Sequence, residues 1–375
     1  MAERHSVDFH EIFTFLSDHS WIHQVQLTQY FVEKIWTNIP EEWNKVLSSL
    51  SAEQLSKLPF EVGGQCTSDI KLHFQNPPRE SLASFLQKSV QLSCERQQAR
   101  HLLSPTPIDR ELSRGMASKK VHEVEWMASL VHRVTSESGC DTVVDVGSGL
   151  GYLGQVLHKV YGLPVIGVEG NAGHNESAAS RACKQGSDQF CNFPLSESAI
   201  QAYSLAQKKH STLSSPFLST GSLRLAAQET RTRWEAQREA DHDNHARNLA
   251  YRALLEVFLK NQQRLRADRR RIRKLNYSNF DSFINSYITT LPISDEEEKT
   301  IVRREMERLH SQLQPYFRSI EPFTCLQVIL QPVLESLVVW DRQQWLVEKG
   351  HHPSIIAIFD EDVSPRNLAT VCIKE

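Results

Sequence analysis

The stretch D-V-G-S-G-L-G-Y-L-G, residues 145–154, decides the fold. It grows out of T-V-V-D-V-G, residues 142–147, which is short, β-branched and ends in glycine, the pattern of a buried parallel strand. Gly147, Gly149 and Gly151 permit a tight turn and let a ligand approach bare backbone. A helix is expected from there through Tyr161, bringing unpaired N–H groups and the positive end of its dipole to the turn. P-V-I-G-V-E, residues 164–169, reads as a second strand, and a helix is expected over 175–184. Strand, helix, strand, helix with short joints is the signature of a parallel α/β sheet.

Two acids give the turn its chemistry. Asp145 stands at the end of the first strand, where its carboxylate attracts an ammonium and repels a pyrophosphate. Glu169 closes the second strand, at the spacing from which an acid accepts hydrogen bonds from ribose hydroxyls. These features predict a class I methyltransferase (Rossmann-like) sheet binding S-adenosyl-L-methionine, its amino-acid end at the glycine turn and its ribose at Glu169. A dinucleotide fold is the rival, because Gly149, Gly151 and Gly154 also spell G-x-G-x-x-G and Glu169 could serve an NAD ribose. A structural glycine turn with no ligand is the third reading.

The 375 residues suffice for an α/β domain with helical additions. With 42 Lys and Arg against 45 Asp and Glu, overall charge points to neither nucleic acid nor membrane, so such a partner must come from a local patch. Seven dispersed cysteines without C-x-x-C spacing argue against zinc. With no apolar leader in M-A-E-R-H-S-V-D-F-H-E-I-F, they predict an intracellular protein, cytoplasmic or nuclear. The apolar run 323–340 is interrupted by Gln327, Gln331, Pro332 and Glu335, so a buried helix is expected and no membrane span. Four segments are predicted: an N-terminal helical region over 1–104, ended by Pro105 and Pro107; the cofactor-binding half over 105–190; a mainly helical insertion over 191–330; and, over 331–375, a helix from Val333 and two strands (354–359, 368–373) that complete the sheet.

The sequence resembles the methyltransferase-like protein 25 family, whose members include a ribosomal RNA adenine dimethylase domain-containing protein. Four stretches carry the likeness: F-V-E-K-I-W-T-N-I-P-E-E-W at 31–43, K-K-V-H-E at 119–123, the cofactor motifs at 145–151 and 169–170, and the C-terminus with S-P-R-N-L at 364–368. The resemblance implies S-adenosylmethionine as cofactor, with Lys120, His122, Asp145, Gly147, Ser148, Gly149, Gly151, Glu169 and Gly170 as binding residues. It also implies H-A-C-G-D-L and G-C-C-Y stretches from the fourth and fifth strands, where the acceptor would sit. Neither occurs, so a block is expected to be missing near Gln189 and the sheet to be incomplete. That loss favours a second reading of the whole chain, a non-catalytic binding or regulatory protein on a degenerate fold.

Other patterns are weaker. Asn76-Pro77-Pro78-Arg79 lacks the aromatic residue of an adenine-methylating N-P-P loop and precedes the cofactor motif, so it reads as a loop. The basic run from Arg264 to Lys274 and the family's name suggest RNA as acceptor, although such a run is more often an exposed helix face. Tyr277, Phe280, Phe283 and Tyr287 recur at helical spacing, as core residues do. His19/His23 and His242/His245 have ligand-like spacing but no third ligand, so polar helix faces are expected and no metal. No residue is marked as a catalytic base, and nothing in the sequence sets the oligomeric state.

Overall fold

A computed structural model describes residues 7–61, 80–94, 103–169, 193–209, 218–226, 234–261, 272, 274–360, 363–364 and 366–374. The chain divides into two compact units. One combines 1–10, 94–208 and 336–375; the other combines 11–93 and 209–335. The seams between the two units fall after residues 10, 93, 208 and 335.

The first unit holds all four described strands. Val143–Val146 (β1) pairs in parallel with Val165–Val168 (β2), Asp145 opposite Gly167. Between them runs the helix Tyr152–Tyr161, which starts at Gly151 and stops at Gly162, both left-handed. The helix Ser118–Ser138 precedes β1 and ends at left-handed Gly139. Its Val124 and Ala128 bury against Val156 and Leu157, with Val143 and Val165 of the strands alongside. Another side of the same helix, through Leu130, Trp126 and Val134, packs on Ile356 and Ile358. Ile356 belongs to, and Ile358 directly follows, one strand of an antiparallel pair, Ser354–Ala357 (β3) with Leu368–Val371 (β4).

Among the described residues β3 and β4 pair with each other and with neither β1 nor β2, whereas the sequence reading has them completing the parallel sheet. Their apolar face is covered by a helix, and the ladder ends in a turn in which Ser364 N–H reaches Asp360 C=O at 2.6 Å. On β1–β2 one face meets helices, while Val144, Val146 and Ile166 on the other are 58%, 79% and 57% exposed. Parallel sheets are ordinarily buried on both faces.

The first unit also ties residues 193–209 to the end of the helix Ile320–Glu348. Buried Asp341 accepts from Leu195 N, Ser196 N and Ser196 Oγ at 2.7–2.8 Å. Glu348 accepts from Glu197 N, Ser198 N and Ser198 Oγ, so two carboxylates satisfy the amides that open the helix Glu197–Lys209. This helix from Ile320 passes through Pro332, where the sequence reading began it at Val333. Burial of Val328, Ile329, Leu330, Val333 and Leu334 holds it together across the proline. By length and composition the helical run Glu296–Glu348 contains a stretch apolar enough to cross a membrane, and 72% of that stretch is buried inside the protein.

The second unit is helical among its described residues, and polar side chains inside it join distant segments. Tyr30 bonds Ser319 at 2.7 Å, Gln327 donates to Ile22 C=O at 2.8 Å, and Trp234 donates to Leu55 C=O at 2.9 Å. Phe283 and Tyr287 are fully buried and Phe280 stacks on His310, so the aromatic series from Tyr277 is core. Of the histidines read as polar helix faces, His23 and His242 are buried, while His19 and His245 are partly exposed. His23 is 1% exposed and bonds Leu16 C=O and Ser222. His242 Nδ1 and His245 Nδ1 donate to the two oxygens of Glu321 at 2.7 and 2.6 Å, and Ser56 Oγ lies 2.6 Å from His242 Nε2. This serine–histidine–glutamate order resembles that of a nucleophile and its base, but Ser56 is only 2% exposed and also bonds Ala52 C=O one turn back. The network therefore fastens the helices Ala52–Glu61, Glu239–Asn261 and Ile320–Glu348 to one another.

Burial raises the Glu321 carboxyl, but the bonds and charges of His242 and His245 outweigh it, leaving it below the ordinary carboxylate range. A depressed acid stabilises the fold above its unfolded pKa, about 4.3, and that contribution is lost as pH falls through the folded value. Glu321→Gln should therefore cost about 2 kcal/mol at pH 7, as expected for charge-assisted bonds. In urea titrations the gap between variant and parent should narrow below about pH 4.

Candidate cofactor site

The turn between β1 and its helix is built from three left-handed glycines, Gly147, Gly149 and Gly151, at φ +80°, +56° and +72°. Side chains there would be strained, which is why the sequence alternates glycine with Ser148 and Leu150. The turn is bonded back onto β2. Gly147 N and Ser148 N donate to Val168 C=O at 2.7 and 3.1 Å, and Gly151 N donates to Ser148 C=O at 2.8 Å. Gly149 N donates to the Glu169 carboxylate at 2.7 Å. Gly167 lies close beneath the turn: a Cβ there would sit 2.9 Å from Ser148 Oγ, so the serine side chain would have to shift.

The turn amides of Gly147, Ser148, Gly149 and Gly151 are thus engaged within the chain, which leaves fewer donors for a pyrophosphate. What flanks the turn is a pair of carboxylates, Asp145 and Glu169, at the ends of adjacent parallel strands. Hydrogen-bond acceptors suit a ligand presenting donors, an ammonium and sugar hydroxyls, better than one presenting phosphate oxygens. An open groove of about 450 Å³ runs from Ser148 and Gly151 past Asp145 and Gly167, beside Gln155 and His158 of the following helix. Burial raises the Asp145 carboxyl, and the nearby charge of Lys120 opposes that rise.

Of the expected binding residues, the structure brings together Lys120, Asp145, Gly147, Ser148, Gly149, Gly151 and Glu169. Half-exposed Lys120 also pairs with Glu123 at 3.7 Å. His122 is engaged elsewhere: its Nε2 accepts the Asp360 N–H at 3.0 Å and its ring packs near Trp126 and Phe359. Its place in the K-K-V-H-E motif is thereby accounted for by the C-terminal turn. Glu123, part of the K-K-V-H-E motif but not among the expected binding residues, accepts from Ser364 Oγ at 2.8 Å. Two of the motifs that carried the family likeness, 119–123 and 364–368, therefore touch each other. Gly170, the 175–184 helix, Gln189, Asn76–Arg79 and, apart from Ile272 and Lys274, the basic run Arg264–Lys274 lie outside the described residues. Among the described residues no cluster of three or more His, Cys, Asp or Glu is placed to hold a metal ion.

Residues 119–267 match a methyltransferase domain family. The chain is similar to the mouse protein named "Probable methyltransferase-like protein 25" (Mus musculus), 38% identical over 66 residues, which are 18% of this chain and 11% of the relative. The human protein of the same name (Homo sapiens) is 26% identical over 130 residues, 34% of this chain and 21% of that relative. The resemblance to the methyltransferase-like protein 25 family is thus shown, through partial matches at low to moderate identity. The matched stretches cover less than a quarter of those relatives' lengths. No solved structure matches the chain.

A carboxyl raised by burial stabilises the fold only below its unfolded pKa, and that contribution disappears as pH rises through the folded value. At pH 7 the ionised Asp145 is therefore a burden on folding. Asp145→Asn should leave the melting temperature unchanged or slightly higher at pH 7 while removing the acceptor charge of the site. Thermal melts at pH 7 and pH 4 measure this, with the variant's relative advantage shrinking at the lower pH.

Proposed function

We propose that this chain binds S-adenosyl-L-methionine at the turn between Asp145 and Glu169 and acts as a methyltransferase. The observation that carries the proposal is the pairing of the two carboxylates with a turn whose amides are already engaged. Asp145 would hold the ammonium of the amino-acid end, with Lys120 beside it for the carboxylate, and Glu169 would accept from the ribose hydroxyls. Gly147, Ser148, Gly149 and Gly151 would let the ligand lie against backbone. When bound, the cofactor supplies an electrophilic methyl group on a good leaving group, so the protein's work is mainly to position that carbon in line with an acceptor. The proposed frame is a class I, Rossmann-like sheet, with β1, β2 and the helix between them as its cofactor half.

RNA is the acceptor class proposed, on the basic run Arg264–Lys274 and on the resemblance to a family with a ribosomal RNA adenine dimethylase domain-containing member. A second reading, a binding protein on a reduced fold, is favoured by one observation. Among the described residues the parallel sheet has two strands, and its outer face, with Val146 79% exposed, is open.

Calorimetric titration with S-adenosylhomocysteine and, separately, NAD tests the cofactor. Saturable binding of the first ligand alone, weakened about tenfold or more in Asp145→Ala and in Glu169→Ala, is expected from the loss of a charge-assisted contact. Binding of NAD instead, or of neither ligand by the folded protein, would remove the methyltransferase reading.

A further inference from the structure

The first turn of the helix Ser118–Ser138 joins the C-terminal hairpin turn to the candidate site through one carboxylate. Glu123 accepts the Ser364 hydroxyl on Oε1 at 2.8 Å, and its Oε2 lies 3.7 Å from Lys120 Nζ. Ser364 is 2% exposed, so its hydroxyl is a fixed, desolvated donor. The hairpin turn is held there independently of that bond. His122, next to Glu123, accepts the Asp360 N–H, and Ser364 N–H closes on Asp360 C=O. The order is therefore buried Ser364, partly exposed Glu123 and half-exposed Lys120, whose charge acts on Asp145 of β1.

A lysine on its own has about 2 kcal/mol of side-chain rotamer entropy, and an exposed one gives little directional binding. A carboxylate locked by a buried hydroxyl restricts that ammonium before any ligand arrives. We propose that Ser364 and Glu123 are positioning residues that hold Lys120 beside Asp145, so that the pair reads the zwitterionic α-amino-acid end of the ligand. This rests on the cofactor reading above and deepens it. Asp145 takes the ammonium and Lys120 takes the carboxylate, an arrangement that a nucleoside lacking the amino-acid end cannot use. The C-terminal hairpin is thereby a functional part of the cofactor site, although its strands do not pair with β1 or β2 among the described residues.

The test compares two ligands that share the nucleoside. S-adenosylhomocysteine carries the amino-acid end; 5′-methylthioadenosine does not. Both are titrated calorimetrically into the full-length chain and into Ser364→Ala, Glu123→Gln and Lys120→Ala, with thermal melting as the check on folding. The expected result is about tenfold weaker S-adenosylhomocysteine binding in each variant, with methylthioadenosine binding unchanged. Combining Ser364→Ala with Lys120→Ala should add little to Lys120→Ala alone, because the serine acts through the lysine. If each variant weakens both ligands alike, the contacts are only structural and the proposal is overturned. It is equally overturned if the unmodified chain binds both ligands and no variant changes either. If the unmodified chain binds neither ligand, the cofactor reading itself has failed.

Discussion

The helix Ser118–Ser138 carries apolar residues on two of its sides, and both must be covered for the first unit to hold together. Val124 and Ala128 face the β1–β2 layer and its helix, while Leu130 and Trp126 face the C-terminal strand pair. The hydrophobic effect has no direction of its own, so the relative placement of these layers comes from the helix between them. Polar contacts then fix the detail at its first turn, where His122 and Glu123 hold the 360–364 turn and Lys120 pairs with Glu123. Two elements separated by more than 200 residues in sequence thus meet at one helix end.

The glycine turn is the second constraint. Its backbone amides are satisfied internally, by Val168, Ser148 and Glu169, so the turn is rigid before any ligand is present. Preorganisation of this kind lowers the entropy lost on binding. It also sets the chemistry that the turn can offer, with acceptors on both sides and the amides of Gly147, Ser148, Gly149 and Gly151 already taken. The same Gly149–Glu169 bond couples the ends of β1 and β2, so displacement of one strand end disturbs the other.

The parts of this structure legible in sequence were those with local physical causes. Three alternating glycines require positive φ, β-branched runs of strand length flank a helix, and Gly139, Gly162 and Gly350 end helices in left-handed conformation. The β1, β2, β3 and β4 segments consequently lie within the stretches read as strands. What was not legible depended on distant partners. His242 looks like one more polar residue on a charged helix, and only Glu321 and Ser56, 79 and 186 residues away, make it a buried one. Pro332 reads as a helix start, yet burial on several sides carries the helix through it. Glu123 gives no periodic or motif signal of its own beyond its place after His122, because its role is defined by Ser364 across the chain.

The central claim is that a methionyl-nucleoside ligand occupies the turn between Asp145 and Glu169. Amide NMR of protein labelled with 15N-glycine tests it where it is made. On titration with S-adenosylhomocysteine, the resonances of Gly147, Gly149 and Gly151 should shift together and saturably, while those of Gly139, Gly162 and Gly350 stay in place. Saturable shifts that leave the three turn glycines unmoved, or no shifts at all in the folded protein, would contradict the account.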